Sequence, residues 1–176
     1  VGKDISFRSL VKNNDAVFIA IGAQKDIDLD IEGRDLKGVL QGYEFLEQLG
    51  TGKHPHVGKK VVVVGGGNVA IDAARSCLRL GTDVTVVYRR DRHEMPANEH
   101  EIKDAMEEMI PFRFMSAPHR ILGDAKGNVR GLEIMKMKLE GFDSAGRKKP
   151  VETGETEVIE CDTVILAVGE RVDADA

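Results

Sequence analysis

The sequence is poor in the residues that build disulfide-rich, aromatic-rich or membrane-spanning proteins. It has 2 cysteines, 5 prolines and no tryptophan among its 176 residues, and aromatic side chains make up 5% of the total. Two widely separated cysteines provide neither a disulfide framework nor the spacing of a zinc site, and they favour a reducing cytoplasm. No apolar run approaches the roughly 18 residues of a membrane helix. We therefore expect a cytoplasmic protein that does not associate with a membrane.

The chain also lacks a strong excess of charge of one sign. Its 25 basic and 30 acidic residues give a net charge of -5, which argues against nucleic acid as a partner. The histidines show no metal-ligand spacing, and none is expected to bind a metal: His54, His56, His93, His100 and His119. A hydrophobic content of 41% over this length is sufficient for one domain with a real core. The sequence starts at Val1, so we expect it to begin partway into a longer polypeptide.

The clearest pattern along the chain alternates strands and helices. The β-branched run at residues 61–64 predicts a strand that is covered on both faces. Small and apolar residues recur at helical spacing over 69–81, and 83–88 predicts a second buried strand. A second helix is expected over 97–109 and a third strand over 112–115. These elements together form a βαβαβ unit.

The flanking regions predict the rest of the architecture. Residues 15–22 predict a short buried strand that runs into a glycine turn, and 36–49 predict a helix. A turn-rich connector follows at 50–55. After Pro118, alternating segments separated by polar stretches at 123–128 and 143–156 predict antiparallel strands, and 163–169 predict a final buried strand. We expect an α/β fold over residues 1–176: a Rossmann-type parallel sheet with helices on both faces and an appended antiparallel β-meander.

A glycine-rich turn joins the first predicted strand to its helix. Gly65, Gly67 and Ala70 fit the dinucleotide-binding pattern G-x-G-x-x-G/A, in which the glycines allow a tight turn and a close approach to a pyrophosphate. The helix N-terminus then offers free N–H groups to the phosphates. A glycine turn without a ligand is the alternative, and the flanking strand and helix favour the binding site. The predicted phosphate loop comprises Gly65, Gly66, Gly67, Asn68, Val69 and Ala70.

Basic residues follow the second predicted strand. A NAD-selective site normally has an acidic residue here, whereas this chain has Arg89, Arg90 and Arg92, which suit the 2′-phosphate of NADPH. A solvated basic turn is the alternative explanation. Tyr88 has two equally supported roles, stacking on adenine or capping the edge of the sheet.

Two stretches, VVVVGGGNVAIDAAR at 61–75 and YRRDRHEMPA at 88–97, resemble the glutamate synthase small-subunit family. This family includes NADPH-dependent ferredoxin oxidoreductases and the flavin half of dihydropyrimidine dehydrogenase. The resemblance implies an NADPH domain inserted into an FAD domain, with the Ala-x-Gly strands at 20–22 and 167–169 marking the crossings. Segments 1–55 and 163–176 would then include the strands that cross to the FAD domain. Gly169 is included among the expected cofactor-binding residues.

The resemblance also implies a function. NADPH would bind here and pass a hydride to FAD, and single electrons would then reach iron–sulfur centres. The implied partners are the FAD domain of the same polypeptide and a glutamate synthase large subunit or another iron–sulfur subunit. FAD is not expected on this chain, because no second glycine loop precedes residues 15–22. No catalytic acid, base or nucleophile is expected, since the flavin carries the chemistry.

Two other functions can be compared with this one. A non-catalytic nucleotide-binding module for sensing or assembly needs the same loop, so the sequence separates it poorly. Thioredoxin reductase resembles the chain at the glycine loop but places a redox C-x-x-C shortly before that loop. Residues 49–60 contain no cysteine, which excludes the dithiol reaction for this chain.

Overall fold

A computed structural model describes residues 4–144 and 146–172 of the chain. In chain order its helices and strands are α1 (Phe7–Asn13), β1 (Lys25–Asp26), β2 (Val39–Gln41), α2 (Gly42–Gly50), β3 (Lys60–Val64), α3 (Asn68–Arg79), β4 (Asp83–Val87), α4 (Glu99–Glu107), β5 (Phe112–Arg113), β6 (Ser116–Gly123), β7 (Val129–Phe142), β8 (Lys148–Ile159), β9 (Thr163–Leu166) and β10 (Glu170–Arg171). A single 3-10 turn, Arg92–Glu94, lies between β4 and α4.

Five parallel strands form the central sheet, in the order β2-β9-β3-β4-β5. Strand β9, which comes late in the chain, lies between β2 and β3, with Val164 opposite both Val39 and Val62. The valine run of β3 is buried on both faces of the sheet, as its composition predicts. The predicted parallel sheet is therefore confirmed.

The two faces of this sheet are covered by different structures. Val61, Val63 and Val86 belong to a core that includes the apolar faces of α2, α3 and α4. The alternate residues Val62 and Val64 pack with Ile121, Leu132 and Ile134 of the antiparallel strands. This arrangement corrects one part of the expectation. Helices α2 to α4 share one face, and the antiparallel sheet covers the other face where a second layer of helices was expected.

Helix α3 forms because small and apolar residues recur on one side of it. Its buried residues are Ala70, Ile71, Ala73, Ala74 and Cys77. The helix stops before Gly81, whose φ of 81° suits a glycine that follows a helix. Helix α4 is shorter than predicted and ends at Glu107, just before Met109 adopts a φ of 63°.

The predicted antiparallel meander is confirmed as the three-stranded sheet β6-β7-β8. Its last two strands are longer than the sequence suggested. Strand β8 starts at Lys148, inside the 143–156 stretch that was expected to separate strands, and pairs with β7 as far as Phe142. The turn between β7 and β8 therefore lies at the end of a long hairpin.

Two expectations about the N-terminal part are wrong. Residues 15–22 form no strand and are exposed, with Phe18 92% accessible, because no other described segment pairs with them. The helix expected over 36–49 starts only at Gly42, because residues 39–41 pair with β9 as a strand. Strands β1 and β10, from opposite ends of the chain, form a short antiparallel ribbon in which Asp26 lies opposite Glu170.

Candidate functional site: the carboxyl edge of the parallel sheet

The turns that follow β2, β9, β3 and β4 all lie at one edge of the sheet, because the four strands are parallel. Ligands of open α/β sheets bind in the crevice outside the carboxyl ends of the strands. The glycine loop after β3 lies between the turn after β9 and the turn after β4. All residues of the predicted site follow one of these strands.

Gly65 and Gly66 are required by contacts within the chain. Gly65 has a φ of 149°, and a Cβ there would overlap the carbonyl oxygen of Ala167. Its N–H donates to the carbonyl of Val87 at 3.0 Å. A Cβ on Gly66 would overlap the ring of Tyr88. These two glycines let the loop pass closely between its neighbouring turns.

Gly67 has a different environment from the other two glycines. Its φ of -86° and ψ of 177° suit any residue, and a Cβ built there would meet no atom within 4 Å. Gly67 is the N-cap of α3 and makes no side-chain capping bond. Nothing among the described residues therefore requires glycine here, and the open space lies where a pyrophosphate would approach.

The first turn of α3 presents donors to this open space. Over the described residues, the amides of Asn68 and Val69 have no hydrogen-bond acceptor. A helix N-terminus carries a partial positive charge, and its free N–H groups bind phosphate well. Ala70 is fully buried, which allows the close packing of helix on strand that the third motif position provides.

The loop is also held by residues that the sequence did not indicate. The side-chain Oδ1 of Asn68 accepts from the amide of Asn98 at 2.8 Å, and the amide of Ala97 donates to the carbonyl of Gly66 at 3.1 Å. These bonds tie the N-terminus of α4 to the loop. On the other side, a Cβ on Gly42 would lie 2.8 Å from Cβ of Ala167. No local pattern signals these contacts, because their partners are distant in sequence.

Tyr88 lies beneath the glycine loop. Its side chain is buried, and its hydroxyl donates to the carbonyl of Glu94 at 2.6 Å. Burial also raises the pKa of this hydroxyl above its ordinary value. The ring packs against Gly66, and the role of Tyr88 toward a cofactor stays a prediction.

The three arginines after β4 differ in their surroundings. Arg89 is exposed, and no side-chain partner for it is found in the part of the chain that the structure describes. Arg90 is only 4% exposed and donates from Nε to the carbonyl of Lys148 at 2.9 Å. Arg92 is exposed and pairs with Glu99 at 3.1 Å. The structure therefore brings Arg89 and Arg92, but not Arg90, to the surface of the chain.

Gly169 lies beside the β1–β10 ribbon. Its φ is 132°, and its carbonyl accepts from the amide of Ile27 at 2.9 Å. Near this ribbon is an open cleft of about 850 Å³ that extends to the N-terminus of α2. There Asp26 accepts from the amides of Tyr43 and Glu44 at 3.0 and 3.3 Å and so caps α2. The cleft lies on the β2 side of the glycine loop.

No cluster of metal-ligating side chains occurs among residues 4–144 and 146–172. In the same residues, every helix is too short or too polar to cross a membrane.

The chain belongs to the pyridine nucleotide-disulphide oxidoreductase family, whose sequence model matches residues 9–176. It is 45% identical to the NADPH-Fe(3+) oxidoreductase subunit beta of Geobacter sulfurreducens over 98% of this chain and 26% of that protein. It is 34% identical to the glutamate synthase (NADPH) small chain of Escherichia coli strain K12 over 97% of this chain and 39% of that protein. The resemblance to the glutamate synthase small subunit is thus confirmed, and the chain spans well under half of these relatives.

Among solved structures, Mycobacterium tuberculosis FprA in complex with NADPH superimposes with a TM-score of 0.80. The match covers 97% of this chain and 53% of FprA, at 24% identity. The comparison confirms the fold, with its Rossmann-type parallel sheet and appended antiparallel strands. The relatives are oxidoreductases, and this chain corresponds to part of such an enzyme.

Proposed function

We propose that this chain binds NADPH and positions it for hydride transfer to FAD in a glutamate synthase small-subunit-like oxidoreductase. The observation that carries the proposal is Gly67, which has open space at its Cβ position and free helix amides beside it. A bound NADPH would supply a hydride, which a flavin would accept and pass on as single electrons to iron–sulfur centres. The residues of this chain bind the pyrophosphate and hold the loop in place.

Arg89 is the residue proposed to bind the 2′-phosphate. It follows β4, the strand after which the adenine ribose lies in this fold. The one acidic residue of that strand, Asp83, is at its opposite end. A guanidinium binds phosphate with charge-assisted and often bidentate hydrogen bonds. Arg89 therefore favours NADPH over NADH.

An apolar surface supports the presence of an FAD domain in the same polypeptide. Ile5, Phe7, Val11, Phe18 and Ile19 are all about half exposed or more. Several exposed apolar side chains within one short segment suit a surface that another domain or partner covers. The ribbon of β1 and β10 brings the two segments that flank the nucleotide-binding fold side by side, as expected if both cross to one neighbouring domain.

The names of two relatives bear on the electron acceptor. One relative is named an NADPH-Fe(3+) oxidoreductase subunit, and another is named a glutamate synthase small chain. We propose that the partner is a glutamate synthase large subunit or another iron–sulfur subunit. The role of this chain is then the input of electrons from NADPH.

The test compares NADP⁺ and NAD⁺ binding by calorimetry, in the natural polypeptide that carries these residues. We expect wild type to prefer NADP⁺ and Arg89→Ala to lose about 1–2 kcal/mol of that preference, about 5- to 30-fold. Arg130→Ala removes another exposed arginine from β7 and serves as the matched control. Equal affinities for the two cofactors in wild type would contradict the proposal. Reduction of a bound flavin by NADPH separates electron input from simple nucleotide sensing.

A further inference from the structure

The hairpin between β7 and β8 reaches the segment that carries the three arginines. Asp143, at the start of its turn, accepts from the amide of Arg147 at 2.9 Å and closes the turn. Lys148 is the first residue of β8. Both Asp143 and Lys148 contact residues that follow β4, more than fifty positions earlier in the chain.

Arg90 makes the main connection. Its Nη2 donates to Oδ2 of Asp143 at 3.0 Å, and its Nε donates to the carbonyl of Lys148 at 2.9 Å. Oε2 of Glu94 lies 3.6 Å from the same Nε. The Asp143 carboxylate also contacts Arg147, at 3.1 Å. The guanidinium of Arg90 is thus buried between the hairpin and the turn after β4.

Glu94 completes the connection from the other side. Its Oε1 accepts from the amide of Lys148 at 3.0 Å, so that Lys148 is held by both its N–H and its carbonyl. The backbone carbonyl of Glu94 accepts from the hydroxyl of Tyr88, beneath the glycine loop. We call the four residues Arg90, Glu94, Asp143 and Lys148 the hairpin clamp.

The clamp decides which arginine can reach a phosphate. To bind one, Arg90 would have to leave Asp143 and the carbonyl of Lys148, and these acceptors would lose their charged partner. Arg90 is buried against the hairpin, whereas Arg89, the preceding residue of the same turn, is exposed.

We propose that Arg90 is a positioning residue: through the hairpin clamp it fixes the turn from which Arg89 contacts the 2′-phosphate. This proposal rests on the proposed function, since it assigns roles within the NADPH site. It makes the hairpin a determinant of cofactor choice, although Asp143 does not touch the cofactor. Loss of Asp143 therefore lowers the preference for NADP⁺ in the same way as loss of Arg90.

The test measures dissociation constants for NADP⁺ and NAD⁺ in the natural polypeptide, for wild type, Arg89→Ala, Arg90→Ala, Asp143→Ala and the Arg90→Ala/Asp143→Ala double variant. We expect Asp143→Ala to lower the NADP⁺ preference about 3- to 10-fold, with NAD⁺ affinity little changed. The double variant should fall no further than Arg90→Ala alone. Asp124→Ala, which removes a matched aspartate from the β6–β7 turn, should leave the preference unchanged.

The result that overturns the clamp is a preference that falls in Arg90→Ala as far as in Arg89→Ala but is unchanged or higher in Asp143→Ala. Arg90 would then bind the phosphate itself. If Arg90→Ala does not fold, Asp143→Ala alone decides, because an unchanged preference there also overturns the proposal. A wild type without any preference for NADP⁺ overturns the proposed function, and the clamp with it.

Discussion

Gly67→Ala should separate nucleotide binding from folding. A methyl group at this position meets no atom of the chain within 4 Å, and the backbone already has angles that alanine adopts. Replacing glycine by alanine at compatible angles stabilises a protein by about 0.4–1 kcal/mol. Alanine is a poorer N-cap than glycine, with a cost of about 0.5–1 kcal/mol. The two effects offset each other, and the free energy of unfolding should change by less than about 1 kcal/mol.

The effect on the nucleotide should be much larger. The methyl group would occupy the space through which a pyrophosphate approaches the free amides of Asn68 and Val69. A hydrogen bond to a charged group contributes about 1.5–3 kcal/mol. Loss of two such bonds removes about 3 kcal/mol or more of binding free energy, so the affinity should fall about 100-fold or more. Gly67→Val, with its larger side chain, should leave no measurable binding.

The assay pairs calorimetric titration with NADPH and thermal unfolding of the unliganded protein. Gly50→Ala is the matched control, because Gly50 ends α2, also has open space at its Cβ position and lies outside the glycine loop. The control should bind NADPH like wild type. A folded Gly67→Ala protein with unchanged affinity would show that this loop does not bind the phosphates.

Three further predictions concern the protein itself. Gly65→Ala should lower the free energy of unfolding by about 2–5 kcal/mol in chemical denaturation, because it adds strain at a φ of 149° and an overlap with the adjoining turn; an unchanged denaturation midpoint would contradict this. Arg75 lowers the pKa of Glu108, so their pairing stabilises the fold above the unfolded pKa of about 4.3 and loses its effect as the pH falls. Arg75→Ala should therefore lower the melting temperature more at pH 7 than at pH 3, and an equal loss at both would refute the pairing. Burial raises the pKa of Cys77 and Cys161 to about 12, so neither thiol should react with a disulfide reagent at neutral pH until the protein is denatured, and rapid labelling of the native protein would disprove it.

The central part of the fold could be predicted from the sequence because its signals are local. The valines of β3, the glycine loop and the small residues of α3 follow one another directly in the sequence. The valine run indicates the strand, and the helical spacing of the small residues indicates the helix. The start of α2 was predicted too early for the opposite reason. Residues 39–41 form a strand only because β9 pairs with them, and β9 comes more than a hundred residues later.

The same distinction applies to the site. The glycine turn predicted as a phosphate loop does follow β3 at the carboxyl edge of the sheet, but the sequence treated Arg89 and Arg90 alike. Their difference depends on Asp143 and Lys148, which are 53 and 58 positions away from Arg90. Residues 15–22 show another limit of what a local sequence pattern can predict. An apolar run indicates burial, yet composition does not tell whether the covering surface belongs to the same part of the protein.

The glycine loop and the N-terminal apolar segment differ in how far other described residues contact them. Around the glycine loop, the close contacts come from turns of the same sheet and from the N-termini of α2 and α4, so the loop is held in place before any ligand binds. The segment from Ile5 to Ile21 has apolar side chains that nothing described covers. Under the proposed function, nucleotide affinity resides in the loop and its neighbours, whereas hydride transfer depends on a domain that covers this apolar segment. Substitutions in the apolar segment should then slow flavin reduction while the dissociation constant for NADPH stays close to that of wild type.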